Sequence, residues 1–264
     1  MSDIADPATL PRMKLARMPD GSPEIFYSLQ GEGRHAGRPS VFIRASLCNL
    51  HCHWCDTDYT WNWTGTSYAH ERDADPSYRK YNREEQIVDL TPHEIASSLA
   101  AFSCHNYVFT GGEPLLQERS WLDLMAILAK ADGSSPFFEI ETNGTLMPGA
   151  PFLERIHQIN VSPKLTNSGV PGEQRLKPAV LSSLASTGKA DFKFVIGSEE
   201  DLQEVVDLVT EANLVHDRVF LMPKARKVAE LESQQGTVAA FARELGFRYS
   251  DRLHLRLYGS RRGV

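Results

Sequence analysis

Three cysteines fall within eight residues, Cys48-Asn49-Leu50-His51-Cys52-His53-Trp54-Cys55, a C-x3-C-x2-C loop. Thiolates are the usual ligands of iron–sulfur clusters, normally four to a 4Fe–4S cube. Three of them on one tight loop bind three irons and leave the fourth open to a ligand that is not protein. Zinc is a competing reading. Structural zinc usually takes four ligands in two paired spacings, and His51 or His53 as the fourth in so close a string strains a tetrahedron. A thioredoxin-like pair is another; Cys52 and Cys55 have its spacing, but Cys48 is then unexplained. The remaining cysteine, Cys104, lies far off and reads as a small buried apolar residue. This usage is no disulfide scaffold and fits a reducing compartment.

Four further motifs each follow a short apolar run: Thr110-Gly111-Gly112-Glu113-Pro114, Glu141-Thr142-Asn143-Gly144, Ser162-Pro163-Lys164 and Met222-Pro223-Lys224. The paired glycines let the backbone come close to a ligand, and Glu113 can receive an ammonium. Glu141 and Asn143 suit the two hydroxyls of a ribose, as acidic residues do in other nucleotide sites. Lys164 can meet a carboxylate. Alone, Gly-Gly-Glu-Pro reads first as a tight turn before a helix, Glu141–Gly144 as a strand-end turn, and Lys164 as a solvated charge. Beside the cysteine loop they read as walls around a ligand bearing an amino group, a carboxylate and a ribose.

The elements that must position these residues alternate. Strands are expected at residues 40–46, 107–110, 137–141, 159–162, 191–196 and 218–222. Helices are expected at 118–131, 177–186, 225–245, from Ser198 as cap to 212, and from 91 to 102, where Thr91, Pro92 and Glu94 form a capping box. Residues 253–257 read as one more strand. This βα alternation implies right-handed crossovers and a mostly parallel sheet. About six parallel strands are too few for a closed eight-stranded barrel, so the expected fold is α/β, a partial, open (β/α) barrel. In a parallel sheet the chemistry gathers at the C-terminal strand ends, where every motif sits. Residues 1–23 read as a loosely ordered lead-in, and 24–264 as a single domain. Residues 61–86, rich in Tyr, Asn, Arg, Asp and Trp, read as an insertion after the cysteine loop, either beside the site or a loop without function.

The net charge of −6 argues against a general nucleic-acid binder. No apolar run reaches the length of a membrane span, and no signal-peptide core precedes the domain. A cytoplasmic location is expected.

The cysteine loop and Gly-Gly-Glu-Pro together resemble the radical S-adenosylmethionine (SAM) enzymes. The stretch Glu24-Ile25-Phe26-Tyr27-Ser28-Leu29-Gln30-Gly31-Glu32-Gly33, with Cys55-Asp56-Thr57-Asp58-Tyr59, narrows the resemblance to the 7-carboxy-7-deazaguanine synthase family. It spans nearly the whole chain, outside the lead-in and the insertion. The resemblance implies a 4Fe–4S cluster on Cys48, Cys52 and Cys55, SAM, and Mg²⁺ with Thr57 as its protein ligand. It implies conversion of 6-carboxy-5,6,7,8-tetrahydropterin to 7-carboxy-7-deazaguanine with loss of ammonia, toward queuosine and other 7-deazapurines. SAM contacts are implied at Trp54, Cys55, Asp56, Gly112, Glu113, Glu141, Asn143, Ser162, Pro163 and Lys164. Substrate contacts are implied at Leu29, Gln30, Gly31, Arg44 and Thr110, with Gln30 on the polar edge and Arg44 on the carboxylate. A flavodoxin-like reductant and a homodimer come with the resemblance. The tail, residues 257–264, is longer and more basic than in short members. The alternative is another radical SAM enzyme such as a glycyl-radical activase, which lacks the Gln-Gly-Glu-Gly entry.

Overall fold

The computed structural model describes residues 11–130 and 135–264. Its strands are β1 (Met13–Ala16), β2 (Ile25–Leu29), β3 (Pro39–Ala45), β4 (Ile87–Leu90), β5 (Asn106–Gly111), β6 (Phe137–Thr142), β7 (Gln158–Val161), β8 (Ala190–Ile196), β9 (Val219–Pro223) and β10 (Arg248–Tyr249). They form one sheet in the order β10-β9-β8-β7-β6-β5-β3-β1-β4, with β2 also on β3. Neighbours from β3 through β10 run parallel. The pairs among β1, β2, β3 and β4 are antiparallel. The sheet is open, as the alternation implies.

One face of the parallel strands is apolar and meets the helices. Helix Glu118–Leu128 buries Trp121, Leu124, Met125 and Leu128, with Trp121 stacked on Phe109 of β5 at 4.4 Å between centroids. Phe152, Leu181, Leu184, Val205 and Leu208 continue this core from the later helices. The alternate positions, Thr110, Glu139, Glu141, Gln158, Asn160, Asp191 and Lys193, are polar, and those also buried cross-link the strands. Gln158 donates to Asp191 at 2.9 Å, and Asn160 donates to Glu139. Low-dielectric surroundings make such a network rigid when its members are satisfied.

Several expectations change. Residues 11–23 are not a loose lead-in: β1 pairs with β4 over Met13↔Leu90 to Ala16↔Ile87, and Met13, Leu15 and Ala16 are buried. Residues 1–10 of that expected lead-in lie outside the described residues, as does the expected helix end at 131. Residues 253–257 are not a strand but part of helix Leu253–Tyr258. Ser198 does not cap the helix Glu200–Glu211, whose N-cap is Glu199 with no side-chain bond. Helix Pro92–Leu99 does carry the capping box between Thr91 and Glu94. The insertion, 61–86, holds only a 3-10 turn (Glu71–Ala74) and one helical turn (Arg83–Gln86) before β4.

Candidate active site

A cavity of about 500 Å³ opens at the C-terminal ends of the parallel strands. Cys48, Cys52 and Cys55 line it, and Leu50 and Val170 pack against them. Burial pushes the Cys52 thiol up to about 12 and raises Cys48 and Cys55 as well. Raised in this way, the thiols would be held as thiolates only by a bound cation, the state in which a thiol serves as a metal ligand. Among the described residues no three His, Cys, Asp or Glu side chains converge as ligands of a single ion. A cube takes one thiolate per iron, so the thiols need not share one metal centre. Cys104 is buried elsewhere, its Sγ 3.5 Å from the Pro39 carbonyl.

The glycine pair has a different use from the one expected. The N–H of Gly112 donates to Ala45 O at 3.1 Å, and that of Glu113 to Leu47 O at 2.8 Å. A Cβ on Gly112 would stand 2.0 Å from Leu47 O, and one on Gly111, at φ +139°, 2.1 Å from Ala45 O. The glycines therefore press the turn after β5 onto the backbone entering the cysteine loop.

Glu113 has a packing role as well. It does not line the cavity and is fully buried. Its carboxylate accepts from Leu115 N (3.0 Å), Thr142 Oγ1 (2.9 Å) and Asn143 N (2.7 Å). Burial raises its pKa despite these donors. It ties the β5 turn to the end of β6. Pro163 is buried and likewise off the cavity wall.

The other expected residues, Leu29, Gln30, Gly31, Arg44, Trp54, Asp56, Thr57, Thr110, Gly112, Glu141, Asn143, Ser162 and Lys164, do share this cavity. Their partners refine their roles. Gln30 donates to Glu139 Oε1 at 3.0 Å and Glu141 Oε1 at 3.2 Å, and accepts from Glu32 N at 3.2 Å. Both amide hydrogens are thus engaged, so Gln30 orients Glu141 and does not offer its N–H groups to a ligand. Glu141 also accepts from Thr110 Oγ1 at 2.7 Å. Asn143 donates to Asn49 at 2.8 Å, bracing the cysteine loop. Lys164 donates to Ser162 O and Oγ, both at 2.9 Å. Its Nζ lies 5.9 Å from the Trp54 ring centroid. Lys224 Nζ lies at the same distance from that ring. Thr57 Oγ1 sits 3.6 Å from Cys55 Sγ.

Spacing did not reveal the charges that close the site. Glu32 pairs with Lys193 of β8 and with Arg252 (2.9 Å). Arg252 also donates to Asp56 at 2.7 Å and to Ala225 O. Burial alone would raise Glu32, but Lys193 and Arg252 hold it far below the usual carboxylate range. Leu253 N donates to Gly31 O, and a Cβ on Gly31 would strike the His254 ring. Helix Leu253–Tyr258 is thereby seated over the β2–β3 turn. The insertion touches the cysteine loop itself: His70 Nε2 lies 2.9 Å from Cys55 O, and Tyr68 stacks on His51 at 3.5 Å. Arg72 and Tyr78 both donate to buried Asp58.

The radical SAM superfamily model matches residues 43–164. A 7-carboxy-7-deazaguanine synthase of Pyrobaculum aerophilum is 36% identical over 91% of this chain and 95% of its own length. The synthase of Halobacterium salinarum is 33% identical over 89% of each chain. That of Rhodopirellula baltica is 30% identical over 91% of this chain and 87% of its own. Among solved structures, that of QueE from Escherichia coli superposes with a TM-score of 0.63 at 22% identity, covering 92% of this chain and 95% of the other.

Proposed function

The chain belongs to the 7-carboxy-7-deazaguanine synthase family of radical SAM enzymes, and from that premise we propose how its cavity performs the reaction. The substrate is 6-carboxy-5,6,7,8-tetrahydropterin and the product 7-carboxy-7-deazaguanine, with ammonia released. A single observation supports the residue assignments: the three cysteines, the turn after β5 and the Arg44 guanidinium all open on one cavity.

The cofactors are a 4Fe–4S cluster and SAM, which when bound supply an electron and a carbon radical. Cys48, Cys52 and Cys55 hold three irons. Ser162, Lys164, Asn143, Glu141 and the 54–56 backbone hold SAM, and Gly112 keeps the β5 turn close enough to leave it room. Glu141 is preset for hydroxyl donors because Gln30 and Thr110 already fix its oxygens. Leu29 and Gly31 flank the pterin. Among the described residues the Arg44 guanidinium makes one hydrogen bond, Nε to Glu24 at 2.7 Å, so both Nη groups stay available for a bidentate carboxylate contact. Burial would lower Arg44, but Tyr59 and Glu24 raise it, and it stays charged. Thr57 gives Mg²⁺ its protein oxygen; a hard cation of this kind keeps water and substrate oxygens in its other positions. Helix Leu253–Tyr258, clamped by Arg252, screens the cavity from water.

No helix among the described residues is long and apolar enough to cross a membrane. A flavodoxin-like reductant, a homodimer and a cytoplasmic location complete the proposal. Its test is anaerobic reconstitution with iron and sulfide, then SAM, reductant, Mg²⁺ and the carboxytetrahydropterin. The expected product is 7-carboxy-7-deazaguanine, identified by mass. SAM cleavage without it would overturn the substrate assignment.

A further inference from the structure

The C-terminal tail returns to the cavity: residues 259–264 all lie on its wall. Ser260 Oγ donates to Arg226 O at 2.5 Å. Arg262 reaches the buried Glu24. Its Nε donates to Glu24 Oε2 at 2.8 Å and its Nη2 to Arg17 O at 2.7 Å, and its Nη2 lies 2.6 Å from Glu24 Oε2. Its guanidinium stacks 3.6 Å over the Tyr59 ring.

Glu24 is 1% exposed and holds Arg44 on its other oxygen, Oε1, at 2.7 Å. The Tyr59 hydroxyl donates to both oxygens at 3.1 Å. Two guanidinium groups therefore share one buried carboxylate, and the three together carry a surplus of one positive charge. Asp56, a further acid that acts on Arg44, is paired with Arg252 at 2.7 Å. A buried carboxylate with one arginine would leave this end of the cavity neutral, and nothing in the pairing of Arg44 with Glu24 needs a second cation.

We propose that Arg262 is a substrate-specificity residue: with Arg44 and Glu24 it forms a seat of net positive charge for the substrate's carboxylate. This rests on the substrate class proposed above. Arg262 supplies the surplus charge that a carboxylate ligand balances. It also fixes Glu24 from the far side, so that Arg44 presents its Nη edge in one orientation. A planar, permanently charged group suits both tasks.

The test uses the reconstituted full-length enzyme with SAM and measures equilibrium binding of two pterins, the 6-carboxy substrate and the 6-carboxamide. Turnover of the carboxy substrate by the unaltered enzyme checks the substrate class separately. Arg262→Gln is expected to weaken the carboxylate about tenfold, from loss of one partly screened charge contact. Carboxamide and SAM affinities should stay within about twofold, and KM should move more than kcat. Arg262→Lys, which keeps the charge, should recover most of the loss. Equal weakening of both pterins would overturn the proposal and reduce Arg262 to a clasp for the tail. Unchanged carboxylate binding in Arg262→Gln would overturn it as well.

Discussion

Adding one methyl group at Gly112 tests the packing that sets the cysteine loop. A Cβ there would lie 2.0 Å from Leu47 O and 2.6 Å from Leu47 C, where real contacts stay beyond 3.0 Å. The obstacle is backbone, so Gly112→Ala must drive the β5 turn and the cysteine loop apart by at least about 1 Å. Two hydrogen bonds span that seam, Gly112 N to Ala45 O and Glu113 N to Leu47 O, and both stretch. Overpacking of this kind costs about 1–3 kcal/mol. A displacement of about 1 Å beside the chemistry lowers turnover on the order of a hundredfold. The assay is iron and sulfide content after anaerobic reconstitution, followed by single-turnover product formation. Gly172→Ala is the control, since its Cβ would meet nothing within 4 Å. If Gly112→Ala kept the unaltered enzyme's rate and melting temperature, the seam would not be what sets the loop.

Three further outcomes are expected. Cys104→Ser should reconstitute with full iron content, whereas Cys48→Ser, Cys52→Ser or Cys55→Ser should lose the cluster's visible absorbance; equal losses in all four would contradict the assignment. Thr57→Ala should raise the Mg²⁺ concentration needed for half-maximal rate by about tenfold, and an unchanged titration would remove Thr57 from the metal site. Burial would raise Glu24, but Arg44 and Arg262 outweigh it and hold its carboxyl below the ordinary 4.5. A depressed carboxyl stabilises the fold above its unfolded value and loses that contribution as pH falls through the folded one. Melting temperature should therefore drop more steeply below about pH 4.5 in the unaltered chain than in Glu24→Gln, and parallel profiles would refute the pairing.

Local chemistry was legible in the residues, and long-range chemistry was not. The cysteine loop, the apolar strands and the Thr91–Glu94 capping box each lie within a few consecutive residues. The strand β1 has four residues and takes its order from β4, more than seventy positions away. Leu253, Leu255 and Leu257 alternate like a strand. Yet the helix buries only Leu255, against Ala225 and Leu231, and leaves Leu257 49% exposed. Gly111 and Gly112 of Gly-Gly-Glu-Pro line the cavity, and tertiary packing adds tasks that no spacing announces: the glycines make way for Leu47 and Ala45, and Glu113 anchors Asn143. Glu32, Lys193 and Arg252 come from three distant segments, and no spacing rule joins them. The same holds for Arg262 on Glu24.

The most direct measurement of the three-thiol, open-iron site is electron–nuclear double resonance on the reduced cluster with SAM isotopically labelled at its amino and carboxylate groups. Hyperfine coupling from those labels to one iron is the expected result, with the cluster retained on Cys48, Cys52 and Cys55. Absence of coupling in a fully loaded cluster, or stoichiometric zinc in place of iron, would contradict it.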